Sequence, residues 1–144
     1  MSKYLATIIV AMTVSSMLLM PLAYAQVAAT VNVYAWTDKT YYDPGDSGNL
    51  KIVIRNDRTD TDLILYNMTI TYPWFAYLGD KWDGNITVTT QNFVLLKSGG
   101  NSYINTTSFT VPKDGRALSG IVSIEIMVDK SPIVYRDSVN LNIR

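Results

Sequence analysis

Short segments in which apolar residues occupy every second position restrict the fold of this chain more than any other feature of its sequence. Such alternation runs through 50–55 and 121–128, and it is typical of strands with one buried face. Turn-forming pairs such as Pro44-Gly45 and Gly99-Gly100 separate the segments about every 8 to 12 residues. The pattern predicts an all-β fold, an antiparallel β-sandwich of about seven to nine strands.

We expect strands at 28–36, 50–55, 63–72, 85–90, 93–98, 103–111, 121–128 and 133–143. Strict alternation in the third of these places one set of side chains on the buried face: Ile64, Tyr66, Met68, Ile70 and Tyr72. Pro73 is expected to end that strand, and 73–84 is expected to be a loop. Alternation also places Asp137 on the inner face of the last strand, which predicts a β-bulge near 136–138.

The N-terminus has the pattern of a secretory signal peptide. A basic residue, Lys3, precedes an apolar stretch at 5–20, and a small-x-small sequence ends at Ala25. We therefore predict a cleaved signal peptide at 1–25 and a single domain at 26–144, located outside the cell or at the cell surface. An uncleaved membrane anchor is the alternative interpretation.

The composition argues against catalysis and against metal binding. Cysteine and histidine are both absent, which removes the usual zinc ligands, thiol nucleophile and proton shuttle. The single glutamate, Glu125, is expected on the outward face of a strand, so a pair of catalytic carboxylates is not expected. The formal net charge is zero, which gives no electrostatic footprint for nucleic acid. We predict a protein that is not an enzyme and has no cofactor.

Two stretches carry a resemblance to a known group of domains. The segment 42–56 joins a Pro-Gly-Asp turn to an alternating strand that ends at Asn56, and 95–128 has an alternating strand that stops at Pro112 and another after Gly120. Together they resemble the immunoglobulin-like sandwich domains of archaeal cell-surface and S-layer-associated proteins, the CARDB-like and NEW3-like group. The resemblance implies an immunoglobulin-like fold and a structural or adhesive role in the archaeal envelope.

Three Asn-x-Thr sequons mark possible N-glycan acceptors on a secreted chain: Asn67, Asn85 and Asn105. Asn67 is expected on the polar, exposed face of its strand. Asn85 is expected at the start of a strand, which also favours exposure. Asn105 shares its parity with Phe109 and is expected to point inward unless a bulge intervenes. The sequons indicate a glycoprotein.

Aromatic residues are concentrated around the expected 73–84 loop. We predict a possible recognition surface for sugar or peptide in this region, because rings combine contact area with a polar tip. Its members are Tyr72, Trp74, Phe75, Tyr77 and Trp82. Packing in the core is the alternative interpretation of these rings.

An oxygen-rich turn carries three carboxylates, Asp57, Asp60 and Asp62. Calcium prefers such clustered oxygen ligands, but the spacing does not match an EF-hand loop. A solvated turn, in which aspartates accept hydrogen bonds from backbone amides, is the favoured interpretation.

Three functions remain open from the sequence. The first is a structural or adhesive module whose partners are other envelope proteins, its own copies or glycans. The second is a filament subunit that assembles by donor-strand exchange, in which 26–36 completes the sheet of a neighbouring subunit. The third is a secreted accessory that binds carbohydrate or peptide. No nucleic-acid partner is expected, and the membrane is contacted only through the signal peptide.

Overall fold

The computed structural model describes residues 31–78, 81–91, 93–129 and 133–144, and for residues 77, 78, 81 and 82 it describes the backbone alone. The signal peptide predicted at 1–25 lies outside these ranges. The described part of the chain is all-β, and it contains no helix that is long and apolar enough to cross a membrane. Its eight strands are β1 (Val31–Thr37), β2 (Ser47–Asn56), β3 (Leu63–Leu78), β4 (Lys81–Thr90), β5 (Val94–Leu96), β6 (Asn101–Thr110), β7 (Gly120–Val128) and β8 (Val134–Leu141).

The strands form two antiparallel sheets that pack face to face, which confirms the predicted β-sandwich. Sheet I has three strands in the order β1-β2-β6. Sheet II has five strands: four in the order β4-β3-β7-β8, with β5 paired to the first residues of β3. The alternation predicted for β2 and β7 is observed, because Ile52, Ile54, Ile124 and Ile126 are fully buried between the sheets.

The last strand is regular, so the bulge predicted near 136–138 is wrong. Strand β8 pairs with β7 without a register shift, from the pair Gly120–Leu141 to the pair Met127–Val134. Asp137 keeps its inward position because β1 of the other sheet lies beside β8 at this corner. The backbone N–H of Ala35 donates to Oδ2 of Asp137 at 2.7 Å, which satisfies both groups.

A bulge occurs instead in β3, and it reverses the predicted faces of the residues before it. The register of β3 against β7 shifts between Leu65 and Asn67. Leu63 and Leu65 are therefore buried, whereas Ile64 is 45% exposed. Strict alternation had predicted that Ile64 and Tyr66 point inward, and this prediction is wrong because the extra residue in the bulge changes the parity of the strand.

Strand β3 also continues beyond Pro73, so the predicted loop at 73–84 is wrong. It extends to Leu78, and β4 begins at Lys81. Pro73 is tolerated because it lies where the ladder to β4 is irregular, between the pairs Tyr72–Ile86 and Phe75–Asn85. A missing N–H at such a bulge does not interrupt a regular ladder. The result is a long β3–β4 ribbon.

Asp38 stabilises the chain between β1 and β2, and it predicts a pH dependence of stability. Its Oδ1 accepts hydrogen bonds from the N–H of Asn49 at 2.9 Å and from the hydroxyl of Tyr42 at 2.6 Å. These bonds, that from Asn49 first, lower the pKa of Asp38 below its ordinary value of 3.8. A lowered pKa contributes stability above the unfolded-state pKa, and this contribution is lost as the pH falls through the folded-state pKa. We expect Asp38→Asn to lower Tm at pH 7, and the difference from wild type to shrink below about pH 4.

Thermal unfolding followed by circular dichroism between pH 7 and pH 2 measures this effect. Asp43→Asn, at an exposed carboxylate in the same connection, is the matched control. A difference in Tm between Asp38→Asn and wild type that stays constant down to pH 2 would contradict the assignment.

Candidate interaction surface

Two of the five aromatic side chains predicted to form a recognition loop, Tyr72 and Trp74, lie in the core. Tyr72 and Trp74 are 5% and 4% exposed, and their rings stack with centroids 5.2 Å apart. Phe109 of sheet I packs against both, at 5.7 Å and 6.0 Å. Burial raises the pKa of the Tyr72 hydroxyl above its ordinary value. These two rings join the sheets and do not form a contact surface for a ligand.

The other members of the predicted loop belong to the β3–β4 ribbon. Phe75 is half-buried in β3. Tyr77 and Trp82 form a backbone pair between β3 and β4, and their side chains lie outside the described part of the structure.

The carboxylates of the oxygen-rich turn point to different partners. Each one is within ion-pair distance of a cation: Asp57 with Arg55 at 2.6 Å, Asp60 with Arg58 at 3.3 Å, and Asp62 with Lys97 at 2.9 Å. The Oδ1 of Asp62 also accepts the N–H of Ser98 at 2.8 Å. Within the described ranges, no group of three or more acidic side chains is placed to hold a metal ion. The three carboxylates of this turn therefore form separate ion pairs, and that of Asp62 also accepts a backbone hydrogen bond.

The three sequons have different surroundings. Asn85 is exposed on β4. Asn67 is half-buried with its Oδ1 buried, because it lies in the bulge of β3, so the exposure expected from alternation is not observed. Asn105 points inward from β6, as its parity predicted, and accepts a hydrogen bond from the hydroxyl of Thr107 at 3.2 Å. Asn85 is therefore the most accessible acceptor of the three.

A row of apolar side chains crosses the outer face of sheet I. Tyr34 of β1 lies opposite Val53 of β2, and Val53 lies opposite Ile104 of β6. Tyr34 and Ile104 are 49% and 56% exposed, and Val53 is half-buried between them. Trp36 follows Tyr34 on the same face and is 44% exposed. We call these four residues the sheet I row.

Polar groups surround the sheet I row. The ammonium group of Lys51 lies 5.3 Å from the ring centroid of Trp36, a cation–π contact. On the other side of the row, Arg55 forms the ion pair with Asp57 described above. A flat apolar centre that contains aromatic rings, with a charged rim, is the usual anatomy of a protein interface.

A second exposed apolar patch lies on the outer face of sheet II. Ile64 and Leu95 are cross-strand neighbours, and the rings of Tyr66 and Phe93 meet edge to face at 5.5 Å. Asp129, whose φ is 51°, borders the patch. Its Oδ1 accepts a hydrogen bond from the N–H of Ile64 at 2.7 Å. Ile64, Tyr66, Phe93 and Asp129 line a shallow cavity of about 280 Å³. This patch exists because the β3 bulge turns Ile64 and Tyr66 outward.

One feature of the sequence indicates the sheet I row, although the search for a single buried face overlooks it. Strand β1 is apolar on both faces, with Val31 and Val33 on the inner face and the larger rings of Tyr34 and Trp36 on the other. A strand of a two-layer sandwich needs only one apolar face, so the second is available for contact. The sheet II patch had no such signal, because a bulge cannot be located from alternation alone.

Comparison with known proteins identifies the fold and no family. No family model matches this chain, and no curated protein matches it in sequence. Among solved structures, the sporulation control protein Spo0M from Bacillus subtilis is similar to it with a TM-score of 0.58 and 14% identity, over 80% of this chain and 49% of Spo0M. The DNA glycosylase AlkC from Pseudomonas fluorescens, in a structure with DNA, gives 0.51 and 11%, over 81% of this chain and 31% of AlkC. The chain thus spans about half of the first and a third of the second, and the likeness concerns the sandwich fold alone.

Proposed function

We propose that this protein is a secreted, non-catalytic module of the cell envelope that adheres to its partners through the sheet I row. The exposed row Tyr34–Val53–Ile104, with Trp36 beside it, is the observation that carries this proposal. The signal-peptide pattern at 1–25, the sequons and the resemblance to archaeal envelope domains support secretion and an envelope role. Each of these three supports comes from the sequence.

The geometry of the row is suited to non-covalent binding. Burial of apolar surface contributes roughly 25 cal/mol per Å², and aromatic residues at the centre of an interface are the usual hot spots. The row lies on three hydrogen-bonded strands, so binding needs little ordering of the backbone and costs little backbone conformational entropy. The charged rim at Lys51 and Arg55 excludes partners of the wrong charge or register.

Removal of the row should release the protein from the envelope. In the producing cells, we expect the wild type in the washed envelope fraction and the double variant Tyr34→Ser/Ile104→Ser in the medium. The expected change in the ratio of envelope-bound to free protein is about tenfold or more, because two hot-spot side chains are truncated. The measurement is quantitative immunoblotting of the two fractions, with thermal unfolding to establish that both proteins are folded.

The double variant Leu118→Ser/Ile121→Ser is the matched control. These two residues are 48% and 55% exposed, almost the same as Tyr34 and Ile104, but lie outside the sheet I row. Retention of the control variant and loss of the row variant would support the proposal. Wild-type protein in the medium, or equal loss of both variants, would overturn it.

Donor-strand exchange is the second candidate, and one observation favours it. Strand β1 is the first described strand, lies at an edge of sheet I, and pairs within the described residues with β2 alone. Its inner residue Val31 is 2% exposed, so an equivalent strand from a neighbouring copy has a buried groove to fill. Negative-stain electron microscopy of the envelope-bound wild type distinguishes the two candidates. Filaments that disappear when 26–36 is deleted support exchange, and particles without filaments support adhesion through the sheet I row.

A further inference from the structure

Strand β4 forms an edge of sheet II that the other described strands leave open. Within the described residues it pairs with β3 alone, over a regular register from Ile86–Tyr72 to Thr90–Met68. Of the residues 85–90, five are exposed and Ile86 is half-buried, so both faces of the strand reach solvent. An edge strand of this kind presents unpaired backbone N–H and C=O groups to any second strand that approaches.

The part of β4 from Gly84 to Thr90 lacks the charged side chains and edge contacts that protect two of the other edges. Strand β8 carries the charged side chains of Arg136 and Asp137. Strand β1 lies beside β8, and the N–H of Ala35 is already bound by Asp137. In contrast, 84–91 contains no charged residue and no proline, and it is rich in threonine and β-branched residues, which favour strands.

We propose that β4 pairs antiparallel with β4 of a second copy of this chain, about a two-fold axis at Val88. Val88 is the centre of the regular segment Ile86–Thr90, so this register opposes Val88 to itself, Thr87 to Thr89, and Ile86 to Thr90. The two copies of sheet II then form one continuous sheet, which runs β8-β7-β3-β4 in the first copy and β4-β3-β7-β8 in the second. The proposal concerns a different surface from the sheet I row and does not depend on the envelope role.

The side chains of β4 suit this symmetric register on both faces. On the outer face, Thr71 and Thr87 already lie with their hydroxyls 3.1 Å apart, and those of Thr69 and Thr89 are 3.3 Å apart. The junction extends these two pairs into continuous rows of threonine, a favourable cross-strand combination. On the other face, Val88, which is 44% exposed, is covered by its own copy.

The lack of charge in 84–91 favours a second copy as the occupant. A symmetric antiparallel pair places the same segment on both sides, so any charge near its centre faces a like charge and opposes pairing. Lys81 and Asp83 lie before the segment and do not face each other in the proposed register. A single strand junction covers little surface compared with a standard interface, so the dimer is expected to dissociate on dilution.

Disulfide trapping tests the position of the axis, since the chain has no cysteine of its own. The full secreted chain is used in an Asn85→Gln background, so that no glycan can cover the strand. Opposed Cα atoms in an antiparallel pair are about 4.5–5.5 Å apart, within the range that a disulfide spans. We expect Val88→Cys with oxidised glutathione to form a covalent dimer at least about tenfold faster than Thr106→Cys. Thr106 is exposed on β6, an edge strand of sheet I that has no charged residue.

Sedimentation velocity over a range of concentrations gives a second, independent readout. We expect a concentration-dependent dimer whose dissociation constant rises at least about tenfold in Val88→Lys, because two ammonium groups then meet at the axis, and is unchanged in Thr106→Lys. Circular dichroism verifies that both variants are folded. A monomer at all concentrations, equal trapping of the two cysteine variants, or loss of the dimer in Thr106→Lys alone would each overturn the proposal.

Discussion

Trp74→Ala is expected to lower the free energy of unfolding by about 3–5 kcal/mol, the usual cost of a large aromatic deletion in a core. The indole is 4% exposed, stacks on Tyr72, and packs against Phe109 of the other sheet. Its removal leaves a cavity where both sheets meet, and no disulfide is present to limit the loss. Since a domain of this size is stable by only about 5–15 kcal/mol, this is a large fraction of its stability. Urea unfolding followed by circular dichroism measures the change.

Trp36→Ala is the matched control for Trp74→Ala, since it removes the same side chain from an exposed position. Trp36 is 44% exposed, and its described cation–π contact with Lys51 contributes at most about 1 kcal/mol at such a site. We therefore expect Trp36→Ala to change the free energy of unfolding by about 1 kcal/mol or less. Equal effects of the two substitutions would show that Trp74 does not have the structural role assigned to it.

The neighbourhood of Trp74 illustrates why sequence reasoning placed a loop after Pro73. A proline before a tryptophan is a reasonable sign of a strand end, because proline cannot donate to a sheet ladder. In the folded chain, Pro73 lies at an irregularity of the β3–β4 ladder, and Trp74 keeps the inward parity of Ile70 and Tyr72. The local signal at Pro73 was outweighed by long-range packing against Phe109, which no local pattern reveals.

Regular strands, in contrast, could be predicted well. In β2, Lys51 and Arg55 flank the buried pair Ile52 and Ile54, and in β7, Ser123 and Glu125 alternate with Ile124 and Ile126. The charged and polar positions therefore mark one face as the outer one and fix the register. The same argument fails at the β3 bulge at Leu65–Asn67. Both Leu65 and Tyr66 are apolar, so the sequence is consistent with burial of either face of the strand.

The candidate surface was predictable only in part for a related reason. Alternation assigns one face of a strand to the core and leaves the other undefined. It therefore could not show that Tyr34, Val53 and Ile104 come from three separate strands to form one row, since this requires the pairing register. Sequence reasoning looked for function in a loop, whereas the sheet I row lies on the face of a sheet.

Asn56 joins the end of β2 in sheet I to β5 of sheet II, and its replacement by leucine should be strongly destabilising. The side chain is fully buried. Its Nδ2 donates to the carbonyl oxygens of Leu96 and Thr61, each at 3.0 Å, and its Oδ1 accepts the N–H of Arg58 at 3.1 Å. Leucine has a similar size but makes none of these bonds, and the carbonyl of Leu96 is left buried without this donor. We expect a loss of about 2–4 kcal/mol in the free energy of unfolding.

The same substitution should lower the local stability of β5 more than that of the other strands, and hydrogen exchange can measure this difference. Strand β5 is short and is held to sheet II through three backbone pairs with β3, so the bond from Asn56 to the carbonyl of Leu96 is a substantial part of its attachment. Native-state hydrogen exchange should therefore accelerate at residues 94–96 more than in β7, the buried centre of sheet II.

Asn101→Leu is the matched control, because Asn101 is the cross-strand partner of Asn56 but is exposed. It makes one side-chain bond, to the carbonyl of Ser98 at 2.7 Å, and water can replace this bond. We expect its loss to lower the free energy of unfolding by about 1 kcal/mol or less. If Asn56→Leu is as mild as Asn101→Leu, or if exchange at 94–96 is unchanged, the contact between β2 and β5 is held by apolar packing and the three bonds of Asn56 contribute little.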